Sequence, residues 1–82
     1  MEVSKKVKEI IAAKAELGSD FTIETSHDLR DDLNLNSLDL VELSMDLEKE
    51  FDVMVPDEIY EKGTDVQSVI NIVESEIVKK ES

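Results

Sequence analysis

The segment that most constrains the fold is SLDLVELSMDLEKEF, residues 37–51, because apolar residues recur in it every three or four positions. On a helical wheel one set of these residues falls within a sector about 80° wide, the width expected of a face that packs into a core. This first stripe consists of Leu40, Leu43, Leu47 and Phe51. The pattern predicts a helix that begins at Asn36 or Ser37 and ends near Phe51, with the first stripe buried.

The same segment carries a second stripe on nearly the opposite side of the helix, made of Leu38, Val41 and Met45. An acidic rim flanks it, made of Glu42, Asp46 and Glu48, with Asp39 further round the helix. One helix of a small bundle cannot fully bury two opposite faces. The second stripe is therefore either a docking surface for basic proteins or a surface covered by a long loop, and the sequence alone leaves both interpretations open.

The helix pattern before this segment runs from Val3 to Leu17, and Gly18 follows it as a stop signal. Residues 18–36 show no clean period and predict a long loop. A loop of this length in a small domain is uncommon unless it is functional or well packed. The side chains expected to hold it on the core are Phe21, Ile23, Leu29 and Leu33.

After Pro56 the sequence predicts one or two short turns over residues 56–62, interrupted by Gly63. Thr64 or Asp65 is then expected to cap a last helix. That helix is marked by Val66, Val69, Ile70, Val73 and Ile77 and ends with Lys79 and Lys80. No alternating β pattern is present, so the fold class predicted is all-α: a small four-helix bundle of three principal helices and one short helix, with a long first loop.

The charge balance restricts the partners of this chain. Its 82 residues, enough for a single domain 1–82, carry 21 acidic and 9 basic side chains, a formal net charge of −12. The phosphate backbone of nucleic acid requires the opposite sign, so we expect no nucleic-acid binding and an attraction to basic partners. No apolar run reaches the ~18 residues of a membrane span and no signal peptide is evident, so we expect a cytoplasmic protein without a membrane span.

Ser37 stands at the predicted start of the second helix. A serine at this position is usually a cap, although Asn36 and Asp39 also have the spacing of a capping box. The amino terminus of a helix can also accommodate a phosphate group. Position alone therefore leaves Ser37 either a cap or a chemical attachment point.

Other chemical sites find little support. Residues 32–43 resemble a calcium-binding loop, but Ser37 replaces the required glycine and Leu43 the required glutamate, so no metal site is predicted. His27 is the sole histidine and is expected to be a surface loop residue. Without cysteine, a nucleophile elbow or a phosphate-binding glycine loop, the chain is not expected to be an enzyme.

DDLNLNSLDLVELSMDLEKEFDVMVPDE, residues 31–58, strongly resembles acyl carrier proteins of the bacterial type II, or dissociated, fatty acid synthase family. The resemblance continues through KGTDVQSVINIV, residues 62–73, and more loosely through VKEII, residues 7–11. It implies that Ser37 carries 4′-phosphopantetheine, transferred from coenzyme A by a magnesium-dependent phosphopantetheinyl transferase (holo-acyl-carrier-protein synthase). The thiol of that arm would hold acyl chains as thioesters during fatty acid biosynthesis.

The sequence gives no firm sign of an oligomer, so a monomer is expected. The resemblance also implies two further sets of residues. Enzymes of fatty acid synthesis with basic docking patches would bind Leu38, Asp39, Val41, Glu42, Met45, Asp46 and Glu48. The acyl chain would enter a cavity lined by Leu47, Phe51, Ile59, Val66 and Ile70.

The chain departs from the family pattern at four places. Asn36 replaces the usual aspartate before the serine, Asn34-Leu35 replaces a Gly-x pair, Lys49 stands at a usually acidic position, and Gly63 stands at a usually aliphatic one. These departures put in doubt whether the chain is the housekeeping fatty acid carrier or a dedicated one. Two alternatives to a fatty acid carrier stay open, and only the first of them arises from the departures. One is a specialised carrier for a polyketide, aminoacyl or other lipid pathway, and the other is an unmodified acidic interaction module in which Ser37 is only a cap.

Overall fold

A computed structural model describes residues 3–15 and 22–81 of the chain. They form three α-helices, α1 (Val3–Ala15), α2 (Ser37–Phe51) and α3 (Val66–Glu81), with a 3₁₀ helix (Asp57–Tyr60) between α2 and α3. The predicted all-α fold of three principal helices and one short helix is confirmed. The predicted end of the first helix at Leu17, the stop signal Gly18 and the loop residue Phe21 lie outside the described residues.

One hydrophobic core joins all four helices, since α1 packs against α2 and α3 while the 3₁₀ helix packs against α2. The first stripe of α2 lies wholly inside this core, as its spacing predicts. The buried apolar side chains are Val7, Ile11, Ile23, Leu29, Leu33, Leu35, Leu40, Leu43, Leu47, Phe51, Ile59, Val66, Val69, Ile70 and Val73. Within the described ranges no helix combines the length and the apolar character needed to cross a membrane.

The described part of the long loop, residues 22–36, is held against the start of α3. The backbone N–H of Leu29 donates to the Thr64 carbonyl at 3.0 Å, and the N–H of Val66 donates to the His27 carbonyl at 3.0 Å. Apolar anchors accompany these bonds, because Ile23, Leu29, Leu33 and Leu35 are buried. The loop therefore runs beside α3 and leaves the second stripe of α2 uncovered.

The carboxyl end of α2 is closed by a side chain from α3. Asp52 adopts a left-handed conformation, with φ of 54°, and ends the helix. Lys80 Nζ lies 3.1 Å from Asp52 Oδ2 and 3.4 Å from the carbonyl oxygen of Phe51. A cation at this end of a helix also opposes the negative pole of the helix dipole.

In the turn between the 3₁₀ helix and α3, Gly63 also adopts a left-handed conformation, with φ of 81°. A side chain at this φ is strained even though nothing would contact an added Cβ atom. The Thr64 hydroxyl donates to the Glu61 carbonyl at 2.8 Å, and Asp65 Oδ1 accepts the Ser68 N–H at 2.8 Å. Asp65 is therefore the cap of α3, one of the two residues predicted, and Gly63 serves the turn before it.

The cap residue Asp65 should give the fold a measurable pH dependence. Hydrogen bonds from the Ser68 hydroxyl and from the Ser68 N–H lower the pKa of Asp65 below its ordinary value of 3.8, despite a small opposing effect of burial. A lowered pKa stabilises the folded state above the unfolded value, and this contribution is lost as pH falls through the folded value. In Asp65→Asn the amide still caps the helix but does not titrate.

We therefore expect wild type to exceed Asp65→Asn by about 0.5 kcal/mol in free energy of unfolding at neutral pH. Urea unfolding of both proteins from neutral pH down to about pH 3 measures this difference. The difference should shrink as the pH falls towards the folded pKa of Asp65. A difference that does not change with pH would contradict the role of the ionised carboxylate.

Candidate functional site

The approach to the second helix is a turn organised by Asp28. Its Oδ1 accepts the backbone N–H groups of Arg30 at 2.8 Å and Asp31 at 2.9 Å. Its own N–H donates to Asp32 Oδ2 at 2.7 Å. Aspartate commonly stabilises turns through such bonds to nearby backbone, and here they give the segment before Ser37 a defined path.

The Asn34-Leu35 pair completes this path and accounts for one departure from the family pattern. Asn34 has φ of 59°, in the left-handed region that glycine favours and asparagine tolerates better than most residues. Its neighbours Leu33 and Leu35 are both buried, and the Leu35 N–H donates to the Leu29 carbonyl at 2.9 Å. Asn34 thus adopts the conformation that a glycine would adopt there, while Leu35 adds an apolar anchor.

The amino terminus of α2 is closed by a reciprocal capping box. Asn36 Oδ1 accepts the Asp39 N–H at 2.9 Å, and Asp39 Oδ2 accepts the Asn36 N–H at 3.1 Å. The predicted capping box is confirmed, and Asn36 keeps the capping role that an aspartate would have. Ser37 is the first helical residue rather than the cap, so the interpretation of Ser37 as the cap of this helix is wrong.

The Ser37 side chain is exposed, and its hydroxyl has no hydrogen-bond partner in the described part of the chain. It stands at the positive end of the dipole of a 15-residue helix. Backbone N–H groups of the first helical turn have no intrahelical acceptor, and a phosphate placed beside them is stabilised. The hydroxyl is therefore accessible and placed where a phosphodiester would be favoured.

The second stripe faces solvent. Leu38, Val41 and Met45 expose 67%, 40% and 53% of their surface. The sequence left two interpretations open, a docking surface and a surface covered by the loop. The exposure of these side chains excludes the covered surface. The stripe starts beside Ser37 and extends for two helical turns as an uncovered apolar surface.

Three side chains of the acidic rim form ion pairs or hydrogen bonds with other parts of the molecule, which the sequence did not indicate. Lys14 Nζ lies 3.2 Å from Asp46 Oδ2 and 3.9 Å from Glu42 Oε1. Glu48 Oε2 accepts the Val55 N–H at 3.1 Å and so holds the segment that follows α2. Neither partner could be read from the sequence, because both contacts depend on how separate segments pack.

The five residues predicted to line an acyl cavity are all buried in the single core: Leu47, Phe51, Ile59, Val66 and Ile70. Open grooves of about 240–390 Å³ lie on the described surface, and in the four most pronounced of them other residues form the lining. These four grooves therefore offer no preformed access to these side chains. An acyl chain that enters between them has to separate side chains that pack together.

A polar cluster that sequence reasoning missed joins α2, the 3₁₀ helix and the loop. Ser44 is buried on the core side of α2, and its hydroxyl donates to the Val41 carbonyl at 2.8 Å. Because that proton is used, Tyr60 is the donor in the 2.9 Å bond between its hydroxyl and Ser44 Oγ. Arg30 Nη2 donates to the Tyr60 carbonyl at 2.8 Å. These bonds fix the 3₁₀ helix beside α2.

Comparison of the sequence with known proteins identifies the family of this chain. The family model described as a phosphopantetheine attachment site matches residues 5–73. The chain is 47% identical over 74 residues to an acyl carrier protein of Clostridium acetobutylicum, covering 89% of this chain and 94% of that protein. It is 44% identical over 79 residues to an acyl carrier protein of Chlorobium phaeobacteroides, covering 96% and 95% of the two chains.

A third relative, an acyl carrier protein of Chlorobium phaeovibrioides, is 46% identical over 79 residues and is covered over 95% of its length. Matches of this length include the helical core, the capped start of α2 and the exposed serine together. The alignments with the two Chlorobium proteins cover 96% of this chain. The chain belongs to the acyl carrier proteins, a family of phosphopantetheine-bearing carriers rather than enzymes.

Proposed function

We propose that this protein carries acyl groups as thioesters on a 4′-phosphopantetheine arm attached to Ser37 Oγ, and that it serves fatty acid biosynthesis. The observation that carries the proposal is the exposed Ser37 hydroxyl, free of hydrogen bonds within the described chain, at the start of a helix capped by a different residue. The chain itself has no cysteine. When bound, the arm supplies the thiol on which acyl groups are carried.

The residues around Ser37 fit such a group. The side chains of Asn36 and Asp39 each accept the backbone N–H of the other residue, so neither competes for the serine hydroxyl. The first-turn N–H groups of α2 favour the negative charge of a phosphodiester. Buried Leu35 and Leu40 on either side of this turn hold its backbone on the core, while the serine side chain stays accessible.

The partners proposed are a phosphopantetheinyl transferase and enzymes of fatty acid synthesis that present basic patches. Three observations support docking through α2: the exposed second stripe, the acidic rim beside it and the formal net charge of −12. The docking residues proposed are Leu38, Asp39, Val41, Glu42, Met45, Asp46 and Glu48. We propose a monomeric, cytoplasmic protein with residues 1–82 forming one acyl-carrier domain.

The cargo is proposed to lie among Leu47, Phe51, Ile59, Val66 and Ile70. Burial of each methylene of an acyl chain contributes about 0.8 kcal/mol. Part of this gain is offset by separating side chains that are packed in the protein without cargo. The balance should favour longer chains, because the cost of opening the core is met once while the gain grows with every methylene.

Loading with butyryl- and octanoyl-coenzyme A by a phosphopantetheinyl transferase tests both the chemistry and the cargo site. The intact mass should increase by one acyl-phosphopantetheine group in each case. Neutral hydroxylamine should then release the acyl group and leave the arm, as expected of a thioester. The octanoyl form should melt at a higher temperature than the butyryl form.

Hydroxylamine release tests thioester carriage, and the melting temperatures test burial of the cargo, so each hypothesis can be contradicted without the other. An acyl group that resists hydroxylamine would contradict thioester carriage. Equal melting temperatures for the two acyl forms would contradict burial of the cargo while leaving the carrier function intact. Loading of the phosphopantetheinylated protein by a malonyl transferase of fatty acid synthesis, and by no aminoacyl-loading enzyme, would distinguish the fatty acid carrier from the specialised carriers considered above.

A further inference from the structure

A lysine of α1 sits on the acidic rim of α2. The Lys14 side chain is only 21% exposed, and its Nζ lies near carboxylates of both Glu42 and Asp46. These two acids are four residues apart on one face of α2, where like charges repel each other. Lys14 therefore stands where it offsets that repulsion and reduces the negative charge along one edge of the rim.

This edge borders the second stripe. Glu42 lies four residues after Leu38 and three before Met45, so it neighbours two exposed apolar side chains on the surface of α2. Asp46 lies one helical turn beyond Glu42 on the same edge. A basic protein that covers the stripe has to meet these carboxylates. Its cationic side chains compete with the Lys14 ammonium for these carboxylates.

We propose that Lys14 is an intramolecular counter-cation, which a basic partner displaces from Glu42 and Asp46 as it docks on α2. The inference rests on the proposed function and adds to it a residue that sets partner selectivity. An arginine can bind a carboxylate through two parallel N–H···O bonds, whereas a lysine ammonium binds as a compact point charge. Partners that present clustered arginines are therefore favoured over partners that present an isolated lysine.

The strength of the pairs suits this role. Glu42 and Asp46 are half exposed, at 50% and 46% of their side-chain surface. Ion pairs this accessible to solvent are weak and are screened by salt. The contact with Lys14 is therefore easily exchanged, yet its positive charge reduces the attraction that a cationic partner experiences during approach.

The test compares Lys14→Gln with Lys5→Gln, which removes the same charge from an exposed residue of α1 that makes no ion pair within the described chain. The readout is kcat/KM for phosphopantetheinyl transfer at increasing NaCl concentration. Lys14→Gln should raise kcat/KM about two- to fivefold at low salt, the range that weak surface pairs span. The gain should shrink as salt rises. Lys14→Arg keeps the charge and can bind a carboxylate through two N–H···O bonds, so it should not raise kcat/KM. Lys5→Gln should change kcat/KM less than Lys14→Gln does.

A second measurement does not depend on the transferase. Binding of a fluorescent hexa-arginine peptide, followed by anisotropy, should show the same order of variants: tightest for Lys14→Gln, weaker for Lys5→Gln and for wild type. In a Glu42→Gln/Asp46→Asn background, Lys14→Gln should add no more than Lys5→Gln does. Melting temperatures of all variants establish that they are folded.

Equal gains from Lys14→Gln and Lys5→Gln would overturn the inference, because total charge alone would then account for the effect. A loss of kcat/KM or of peptide affinity in folded Lys14→Gln would also overturn it, since Lys14 would then assist binding. If wild type is not modified at all, the proposed function fails, and the peptide measurement still decides the role of Lys14.

Discussion

Ser37→Ala is expected to abolish phosphopantetheinylation completely and to change the free energy of unfolding by no more than about 0.5 kcal/mol. The loss is complete because the substitution removes the hydroxyl oxygen that forms the phosphodiester. The stability is retained because the cap of α2 is Asn36, and the Ser37 hydroxyl makes no hydrogen bond within the described residues. Intact mass and urea unfolding measure the two quantities.

Asn36→Ala is the matched control, since it changes the neighbouring residue and should have the opposite effects. It removes the side chain that accepts the Asp39 N–H and should cost about 1 kcal/mol of stability. The variant should still be modified, because the Ser37 hydroxyl remains. Modification of Ser37→Ala, or a large loss of stability in that variant with none in Asn36→Ala, would contradict the division of roles between the two residues.

The second large effect is expected from the two faces of α2. Leu43 is fully buried, whereas Leu38 exposes 67% of its surface. Leu43→Ala should lower the free energy of unfolding by about 2–5 kcal/mol, because it removes buried methyl groups and leaves a cavity. That is a large part of the total stability of a small domain, about 5–15 kcal/mol.

Leu38→Ala makes the same chemical change on the same helix and should alter stability by no more than about 0.5 kcal/mol. It should instead lower kcat/KM for phosphopantetheinyl transfer, because it truncates the part of the second stripe next to Ser37. Urea unfolding and transferase kinetics on both variants provide the comparison. A Leu38→Ala protein as unstable as Leu43→Ala would show that the second stripe is core, and unchanged kinetics would remove Leu38 from the docking surface.

The helices were predictable because the signals that form them are local. The bounds of α2 follow from the period of its apolar residues, from the Asn36 and Asp39 capping pair, and from the end of the pattern near Phe51. The cap of α3 at Asp65 follows from a similarly short-range rule. Each depends on residues within one or two turns of each other, which a sequence displays directly.

The exposure of the second stripe was not predictable, because it depends on the path of the loop. That path is set by backbone bonds between Leu29 and Thr64 and between His27 and Val66, residues more than 30 positions apart. The contact of Lys14 with Asp46 and the bond between Ser44 and Tyr60 arise in the same way. Packing of distant segments creates these contacts, and no local sequence pattern predicts them.

The proposal that Ser37 is the attachment point rests on the sequence and the structure together. Position in the chain favoured a cap, and the resemblance of residues 31–58 to acyl carrier proteins favoured an attachment point. The structure assigns the cap to Asn36 and leaves the Ser37 hydroxyl exposed. It also shows why Asn34 can stand where the family pattern has glycine, since asparagine tolerates the left-handed φ of that position.

The most direct test of the carrier function is the intact mass of the wild-type protein before and after incubation with a phosphopantetheinyl transferase, coenzyme A and magnesium. The protein should gain the mass of one phosphopantetheine group, and fragmentation should place it on Ser37. No gain with two different transferases, in a sample shown to be unmodified at the start, would contradict the proposal. A gain located on any residue other than Ser37 would contradict it as well.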